Sequence, residues 1–207
     1  MLDLGNNNIS DNNILEKVYF KNLKKLYLQV NKISDIKILE RVKFEKLEIL
    51  DLGNNNISNI SILENVDFKE LKKLGLYKNK ILDIKVLEKV KFEKLEILYL
   101  YQNNISDINI LEKVKFKELK ELKLSVNKIS DIKVLGKVRF EKLEILDLSN
   151  NNILDINILE NANFKNLKQI HLKNNKISGV EVLERVNFEK LELLNLGNNN
   201  ISDINKF

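Results

Sequence analysis

The chain contains no cysteine, no proline and no tryptophan, and it has a single histidine among its 207 residues. Without cysteine it can form no disulfide bond and has no iron–sulfur ligand, no thiol nucleophile and no cysteine-based zinc motif. One histidine excludes every metal site that needs several imidazole ligands. No apolar run approaches the ~20 residues that a membrane-spanning helix needs, so we expect no membrane partner.

Charges of both signs are plentiful. Lysine and arginine total 35 against 30 acidic residues, which gives a net charge of +5 and a pI of about 9.1. This mild excess would suit a nucleic-acid binder only if the basic residues were clustered. A hydrophobic content of 43% is too high for a disordered chain. The N-terminus lacks the basic start and apolar stretch of a signal peptide, which predicts a cytoplasmic protein. A secreted parent with a truncated N-terminus is the alternative.

A repeat of 24 residues runs through the chain. Leucine, phenylalanine and asparagine columns keep this spacing, and no linker or low-complexity segment interrupts them. The repeat predicts a single array over residues 1–207, with about nine coils of which the first and last are incomplete. The asparagine column is Asn7, Asn31, Asn55, Asn79, Asn103, Asn127, Asn151, Asn175 and Asn199.

Each unit is predicted to contain a strand, a turn and a helical segment. The alternation of apolar and polar residues through Leu26 and Leu28 indicates a short half-buried strand. Asn31 then turns the chain while pointing inward, where its amide can satisfy backbone groups of the neighbouring coils. Ser34 or Asp35 is expected to cap a short helix or helical turn. Stacked in this way, the coils would share one continuous apolar core.

The unit reads L-x-x-L-x-L-x-x-N-x-I and continues x-D-I-x-x-L-E-x-V-x-F, and it resembles the leucine-rich repeat family over essentially the whole chain. Its second half is most similar to the short-helix class, which includes bacterial internalins and a regulatory subunit of protein phosphatase 1. Repeats of that class usually have about 22 residues. The resemblance implies an α/β fold, a right-handed solenoid with a parallel β-sheet on the concave face and short helices or turns on the convex face. It also implies protein binding rather than catalysis.

The ends of the array carry little of the polar capping that solenoids need. The chain starts within a strand at Leu2 and stops shortly after Ile204. Asn12 replaces the inward isoleucine of the first coil, and Lys206 and Phe207 depart from the repeat, which are weak signs of termination. We therefore expect a fragment of a longer protein. Its uncapped ends would allow end-to-end stacking, and the sequence leaves the oligomeric state open.

A second period, of 48 residues, lies inside the first. Stacked strands lie ~4.8 Å apart, so a column of alternating charge places unlike partners side by side, each pair contributing a few tenths of a kcal/mol. The alternation is either selected or a record of the duplication of a two-coil unit, and in both cases it can help to fix the register of the coils. The column after the leading leucine is Lys24, Glu48, Lys72, Glu96, Lys120, Glu144, Lys168 and Glu192.

Binding residues are expected on the outward-facing strand positions, because the inward positions are committed to packing. The outward columns vary while the core columns stay uniform, and four of the five tyrosines fall on them. A tyrosine and isoleucine patch is typical of the centre of a protein-binding surface, although tyrosine also suits any strand surface. The predicted partner-binding residues of the concave face are Tyr27, Tyr77, Tyr99, Tyr101, Ile97, Lys123, Asp147 and His171.

One arrangement on the same face has the residue types of a catalytic triad. Asp147 precedes His171 by one coil in the same column, and Ser149 lies two residues beyond the aspartate. However, no glycine-rich turn or helix end supplies an oxyanion hole, and a sheet face gives no closed pocket. We therefore predict no catalytic residue, and we expect a surface ion pair between Asp147 and His171.

A column of aspartates suggests calcium binding, but its members are a whole coil apart. Each can cap the helical turn of its own coil, and the dense loop of several ligands that calcium needs is absent. The sequence therefore predicts no metal site and no cofactor. The column is Asp11, Asp35, Asp83, Asp107, Asp131, Asp155 and Asp203.

The lysines of the concave face are interrupted by acidic residues, so they form no continuous track for phosphates. The expected partner is therefore another protein and not a nucleic acid. The function predicted first is a non-catalytic protein-binding scaffold that uses the concave strand face. The alternative is a regulatory or targeting arm of a phosphatase or kinase complex whose catalytic part lies elsewhere.

Overall fold

A computed structural model of the chain describes residues 1–202, so the predictions for Asp203, Lys206 and Phe207 lie outside the described residues. Within this range nine short strands form one open parallel sheet in sequence order. The pairing register equals the repeat, because Leu26 lies opposite Leu2 on one side and Leu50 on the other. The strands are β1 Leu2–Asp3, β2 Lys25–Tyr27, β3 Ile49–Asp51, β4 Lys73–Gly75, β5 Ile97–Tyr99, β6 Glu121–Lys123, β7 Ile145–Asp147, β8 Gln169–His171 and β9 Leu193–Asn195.

Single-turn 3₁₀ helices connect the strands on the opposite side. In the second coil the backbone N–H of Leu39 donates to the carbonyl oxygen of Ile36 at 3.0 Å, and both side chains are buried. With only three residues from one core position to the next, the segment forms the tighter of the two helix types. The helices span Asn13–Lys17, Lys37–Glu40, Ser61–Glu64, Lys85–Glu88, Asn109–Glu112, Lys133–Gly136, Asn157–Asn161 and Glu181–Glu184.

The array has two opposite surfaces. The concave face consists of the outward side chains of β1–β9 together with the second and third residues after each strand. The convex side consists of the 3₁₀ helices and the segments that flank them. The parallel sheet of the concave face and the short helical turns of the convex side form the solenoid predicted from the sequence.

One continuous hydrophobic core lies between the sheet and the 3₁₀ helices. Each interior coil contributes inward leucines from its strand, an isoleucine after the ladder asparagine, and a phenylalanine that closes the coil. Leu98 and Leu100 are fully buried, and Phe92 is 1% exposed. Each coil supplies too little apolar area to fold alone, so the stability of the array depends on neighbouring coils covering one another.

The asparagine ladder links each coil to the one before it. Nδ2 of Asn103 donates to the carbonyl oxygens of Leu76 in the preceding coil and Leu100 in its own coil, both at 3.0 Å. Its Oδ1 accepts the backbone N–H of Ile81, also in the preceding coil, at 3.0 Å. From the second coil onward, the ladder asparagine of every coil makes the same bonds, from Asn31 to Asn199. These bonds confirm the predicted role of the column.

The residue before each ladder asparagine has a left-handed backbone conformation, with φ between 51° and 58°. Asparagine tolerates this region, but a β-branched residue there is a genuine outlier. Val30 and Val126 nevertheless occupy it, with φ of 58° and 55°. The turn geometry is therefore imposed by the stacking of the coils, and these two valines accept a conformation that their own side chains disfavour.

The aspartates that recur once per coil, which the sequence analysis considered as calcium ligands, each cap the 3₁₀ helix of their own coil. Oδ1 of Asp35 accepts the backbone N–H of Lys37, the first residue of the 3₁₀ helix, at 2.8 Å. The N-cap residue of this helix is Ile36, whose apolar side chain cannot accept a hydrogen bond. The capping bond is therefore made by Asp35, one residue before the usual N-cap position. Ser34, the other expected cap, is not used. The same aspartate bond recurs at Asp11, Asp83, Asp107, Asp131 and Asp155.

The alternating charge column forms the expected cross-strand ion pairs. Nζ of Lys120 lies 2.7 Å from a carboxylate oxygen of Glu96, and Glu48 is paired with a lysine on each side of it. Two further columns that the sequence reading missed are also paired. One lies beside the strands, as in Glu70 with Lys94 at 2.6 Å, and the other joins the convex segments of successive coils.

The terminal coils are less covered than the interior ones. Phe20 in the first coil is 42% exposed, whereas Phe44 at the equivalent position of the next coil is 2% exposed. Asn12 does point inward, at 5% exposure, and its Nδ2 finds no hydrogen-bond partner within residues 1–202. At the other end Leu194, the inward residue of β9, is only half-buried, whereas Leu146 at the equivalent position of β7 is fully buried. Both described ends of the sheet thus present incompletely covered apolar side chains.

Candidate protein-binding face

Three tyrosines of the concave face pack against one another. Tyr99 ends β5, and Tyr77 and Tyr101 follow β4 and β5 by two residues. The rings of Tyr77 and Tyr101 are stacked, with centroids 4.8 Å apart and planes within 9° of parallel. Tyr99 meets Tyr101 in a tilted arrangement at 6.0 Å. The predicted tyrosine patch is therefore one preassembled cluster rather than three separate exposed rings.

Two glycines provide the room in which this cluster sits. The ring of Tyr77 lies over Gly53 of the preceding coil, where any side chain would collide with it. Asp51 lies over Gly75 in the same way, since a Cβ atom at Gly75 would be 2.8 Å from the carboxylate. This packing of large side chains over Gly53 and Gly75 was not predicted from the sequence. The signal that could have revealed it is a glycine one coil away from a large residue in the same outward column.

Tyr99 lies between two lysines and next to a carboxylate. Nζ of Lys73 lies 4.8 Å from the centroid of its ring, and Nζ of Lys123 lies 4.9 Å from it. The hydroxyl of Tyr99 donates to Glu121 at 3.0 Å, and Glu121 also pairs with Lys123 at 2.7 Å. These contacts hold the ring by cation–π attraction and a hydrogen bond, so its orientation is set before any partner arrives.

Burial and nearby carboxylates shift the pKa values of this cluster. Burial raises the pKa of Asp51, which is 8% exposed, although the backbone N–H of Gly53 donates to it at 3.0 Å and opposes the shift. Burial, followed by the charge of Asp51, raises the pKa of Tyr77 to about 12. The pKa of Tyr99 is raised first by burial and then by its hydrogen bond to Glu121. The tyrosines therefore stay neutral donors throughout the physiological pH range.

The remaining predicted residues lie outside the cluster or at its border. Ile97 is half-buried on β5, between Lys73 and Glu121 on the adjacent strands. Tyr27 lies on β2, three strands away from Tyr99, and its side chain is half-buried. The structure thus brings together Tyr77, Tyr99, Tyr101, Ile97 and Lys123, and it leaves Tyr27 apart.

The expected ion pair between Asp147 and His171 is wrong. The two residues are direct neighbours on β7 and β8, but no pair within 4.0 Å joins them in the described chain. Oδ1 of Asp147 instead accepts the backbone N–H of Ser149 at 2.9 Å, and Nε2 of His171 lies 3.3 Å from Oε1 of Gln169. Since no ion pair within 4.0 Å joins Asp147 to His171, the carboxylate does not orient the imidazole, and no triad is assembled.

Within residues 1–202 no three histidine, aspartate or glutamate side chains are close enough to hold a metal ion. In the same part of the chain, every helix is too short or too polar to cross a membrane.

Comparisons with known proteins agree with this architecture. Family models for leucine-rich repeats match residues 21–65, as two copies, and residues 142–163. A search of curated protein sequences gives no match.

Several solved structures share the fold. An internalin (inlF) of Listeria monocytogenes is 25% identical, with a TM-score of 0.72 over 99% of this chain and 62% of the internalin. An internalin C2 of the same species is 27% identical, with a TM-score of 0.72 over 92% of this chain and 76% of its own. A leucine-rich repeat protein of Leptospira interrogans is 29% identical, with a TM-score of 0.73 over 88% and 45%.

Two stretches of the chain therefore match leucine-rich repeats, the whole array has the solenoid fold of that family, and the chain resembles the internalins. Of the two relatives expected from the sequence, the internalins are the one that these comparisons support. The chain spans 62% of the length of the inlF structure.

Proposed function

We propose that this leucine-rich repeat array is a non-catalytic scaffold that binds another protein on its concave face. The observation that carries the proposal is the preassembled cluster of Tyr77, Tyr99 and Tyr101 on adjacent coils. Tyrosine offers a large contact area with few rotatable bonds, and here its rotamers are already restrained by stacking and by Lys73 and Lys123. Binding would therefore cost little side-chain entropy.

The rigidity of the support strengthens this proposal. Tyr99 ends a strand that is hydrogen-bonded on both sides, and Tyr101 is followed by a ladder asparagine that ties its coil to the preceding one. Little loop ordering is needed to present these rings. Solenoid proteins commonly use such extended sheet faces for recognition, and leucine-rich repeat proteins are generally protein-interaction scaffolds.

Alanine substitutions would locate the binding surface. We expect Tyr99→Ala and Tyr101→Ala each to weaken binding of the partner by at least about 1–2 kcal/mol, in the range of interface hot spots. The convex substitutions Glu88→Ala and Lys113→Ala, which remove a long pair at 3.9 Å, should change the affinity little. Partners would first be captured from cell extract with the wild-type chain as bait, and the affinity of each variant would then be measured by titration.

The comparison requires that all variants fold, which circular dichroism and thermal unfolding would establish. A protein that is captured by wild type and by the convex variants, and lost from both tyrosine variants, supports the proposal. If the tyrosine variants bind like wild type while the convex changes abolish binding, the 3₁₀ helices are the recognition surface and the proposal is wrong.

A further inference from the structure

The carboxylates around the tyrosine cluster are already engaged within the chain. Asp51 is 8% exposed and accepts the backbone N–H of Gly53. The side chain of Glu121 is 17% exposed and is paired with Lys123. Asp147 accepts the N–H of its own coil. The negative groups of the central concave face thus lie low on the sheet and have partners there.

Several concave lysines are in the opposite situation. Lys25, Lys73, Lys78 and Lys173 have no carboxylate within 4.0 Å in residues 1–202. Lys25, Lys78 and Lys173 are exposed, and Lys73 is half-exposed with its ammonium held against the ring of Tyr99. Beside the sheet, by contrast, the lysines of the alternating column are paired, as Lys120 is with Glu96.

We propose that the partner presents an acidic segment with an aromatic or large apolar anchor to this face. This inference rests on the proposed function and specifies its ligand. Carboxylates of the segment would meet the ammonium groups of Lys73 and Lys78, which project from the same coil as Tyr77. The anchor would pack on Tyr101 and Ile97. Complementary charge of this kind steers association and fixes orientation, while the aromatic contact supplies most of the affinity.

The placement of the lysines fits a segment that crosses several strands. Concave lysines occur on the second, fourth, sixth and eighth coils: Lys25, then Lys73 with Lys78, then Lys123, which is already paired with Glu121, and finally Lys173. Strands ~4.8 Å apart place these coils ~9.6 Å from one another. A single carboxylate could meet only one of these positions, whereas an acidic stretch of chain could meet several.

Selection from random peptides displayed on phage would test this ligand class without knowledge of the natural partner. The purified full chain would be the target, and the selected peptides would be compared with the unselected library. We expect enrichment of aspartate and glutamate over lysine and arginine, together with an aromatic residue. Enriched peptides that are basic or without charge bias would overturn the inference.

Titrations with a synthetic copy of the most enriched peptide would then place its binding site. The double variant Lys73→Gln and Lys78→Gln should weaken binding at least about tenfold. The matched double variant Lys80→Gln and Lys91→Gln removes two exposed lysines of the same coil from outside the concave face. It should stay within about twofold of wild type, because only long-range screened charge is lost.

The outcomes separate the two proposals. If Tyr101→Ala abolishes binding and the Lys73 and Lys78 changes do not matter, the concave scaffold stands and the acidic ligand is wrong. If no concave substitution affects the peptide, both proposals fail. A single-stranded oligonucleotide that binds more tightly than the peptide, and is lost in the Lys73 and Lys78 variant, would assign the face to nucleic acid and overturn the inference.

Discussion

In every interior coil the ladder asparagine and the outward strand residues lie a few positions apart, and they are held by different contacts. Asn103 bonds four backbone groups, two of them in the preceding coil, so its replacement would disturb two coils at once. Tyr101, two residues earlier, mainly meets other outward side chains. A column that serves the backbone of its neighbour cannot vary, whereas a column whose members contact only one another is free to differ from coil to coil.

The largest expected effect follows from the fixed column. Asn103→Ala removes the donor to Leu76 and Leu100 and leaves the N–H of Ile81 without its acceptor. Each buried backbone group left unpaired costs about 1–3 kcal/mol. We therefore expect a loss of at least this size in the free energy of unfolding, and the same for Asn127→Ala, measured from urea midpoints.

Asn104→Ala is the matched control, because it removes the same amide one residue further along. Asn104 is half-buried, and its side chain makes no hydrogen bond within the described part of the chain. Its replacement should cost less than about 0.5 kcal/mol. If Asn104→Ala is the most damaging of the three, the assignment of fixed and variable columns is wrong.

The residues that precede the ladder asparagines form a third kind of column. Their left-handed backbone conformation is the same in every coil, but their residue type varies. Val126 has a φ of 55° and is 42% exposed. Its backbone is therefore strained, and its side chain buries little apolar area that would offset the strain. Asparagine occupies the same conformation in five coils, at Asn6, Asn54, Asn150, Asn174 and Asn198. We expect Val126→Asn to stabilise the chain by about 1 kcal/mol in urea unfolding, since the left-handed region costs a β-branched residue about that much.

The reciprocal change provides the control. Asn54→Val introduces the same conflict at an exposed position with φ of 52°, and it should destabilise by a similar ~1 kcal/mol. Opposite signs for the two substitutions would show that backbone strain is the cause. A loss of stability in both would instead mean that the exposed face of Val126 contributes packing that its accessibility does not reveal.

Much of the fold is predictable from the sequence because each repeating column has one physical task. The spacing of Leu26 and Leu28 predicts the strand, and the unbroken asparagine column predicts the ladder. The charge column predicts ion pairs such as Glu96 with Lys120. All three depend only on period and residue type, and the repeat gives nine readings of the same signal.

The candidate site is less predictable because its contacts occur between columns that do not repeat. The sequence reading identifies Tyr77, Tyr99 and Tyr101 as neighbours, but not that Tyr77 lies over Gly53. The predicted pair of Asp147 with His171 is wrong, because a carboxylate at this position can bind either a neighbouring imidazole or a nearby backbone N–H, and here it accepts the N–H of Ser149. Such choices depend on side-chain rotamers, which the repeat period does not encode.

Asp51 offers a smaller test, in which burial on the concave face competes with charge. The pKa of Asp51 is raised in the folded chain above its unfolded value, first because of burial. Its protonation therefore contributes stability that is present below the ordinary aspartate pKa and is lost as the pH rises through the folded pKa. At about pH 7 the charged form is a cost, so we expect Asp51→Asn to stabilise the chain by at most about 1 kcal/mol.

The gain should shrink as the pH is lowered from about 7 to the ordinary aspartate pKa of about 3.9, because the raised pKa of Asp51 keeps its carboxyl mostly protonated there. Urea midpoints at the two pH values would measure it. Asp147→Asn is the control, since Asp147 accepts the equivalent N–H bond from Ser149 but is only half-buried, so a smaller gain is expected. A loss of stability for Asp51→Asn that is independent of pH would show that the hydrogen bonds of the carboxylate outweigh its burial.

The smallest effect is expected from the alternating charge column, which repeats strictly although it lies at the surface. Glu96→Gln removes the pair with Lys120, whose side chain is 46% exposed, and should cost only a few tenths of a kcal/mol. The loss should disappear in about 1 M salt, where the Debye length falls to ~3 Å. Glu93→Gln is the matched control, because Glu93 lies in the same coil and makes no ion pair in the described residues. If both changes cost the same at low salt, pairing with Lys120 does not stabilise the array, and the alternation is better explained by duplication of a two-coil unit than by selection for charge pairing.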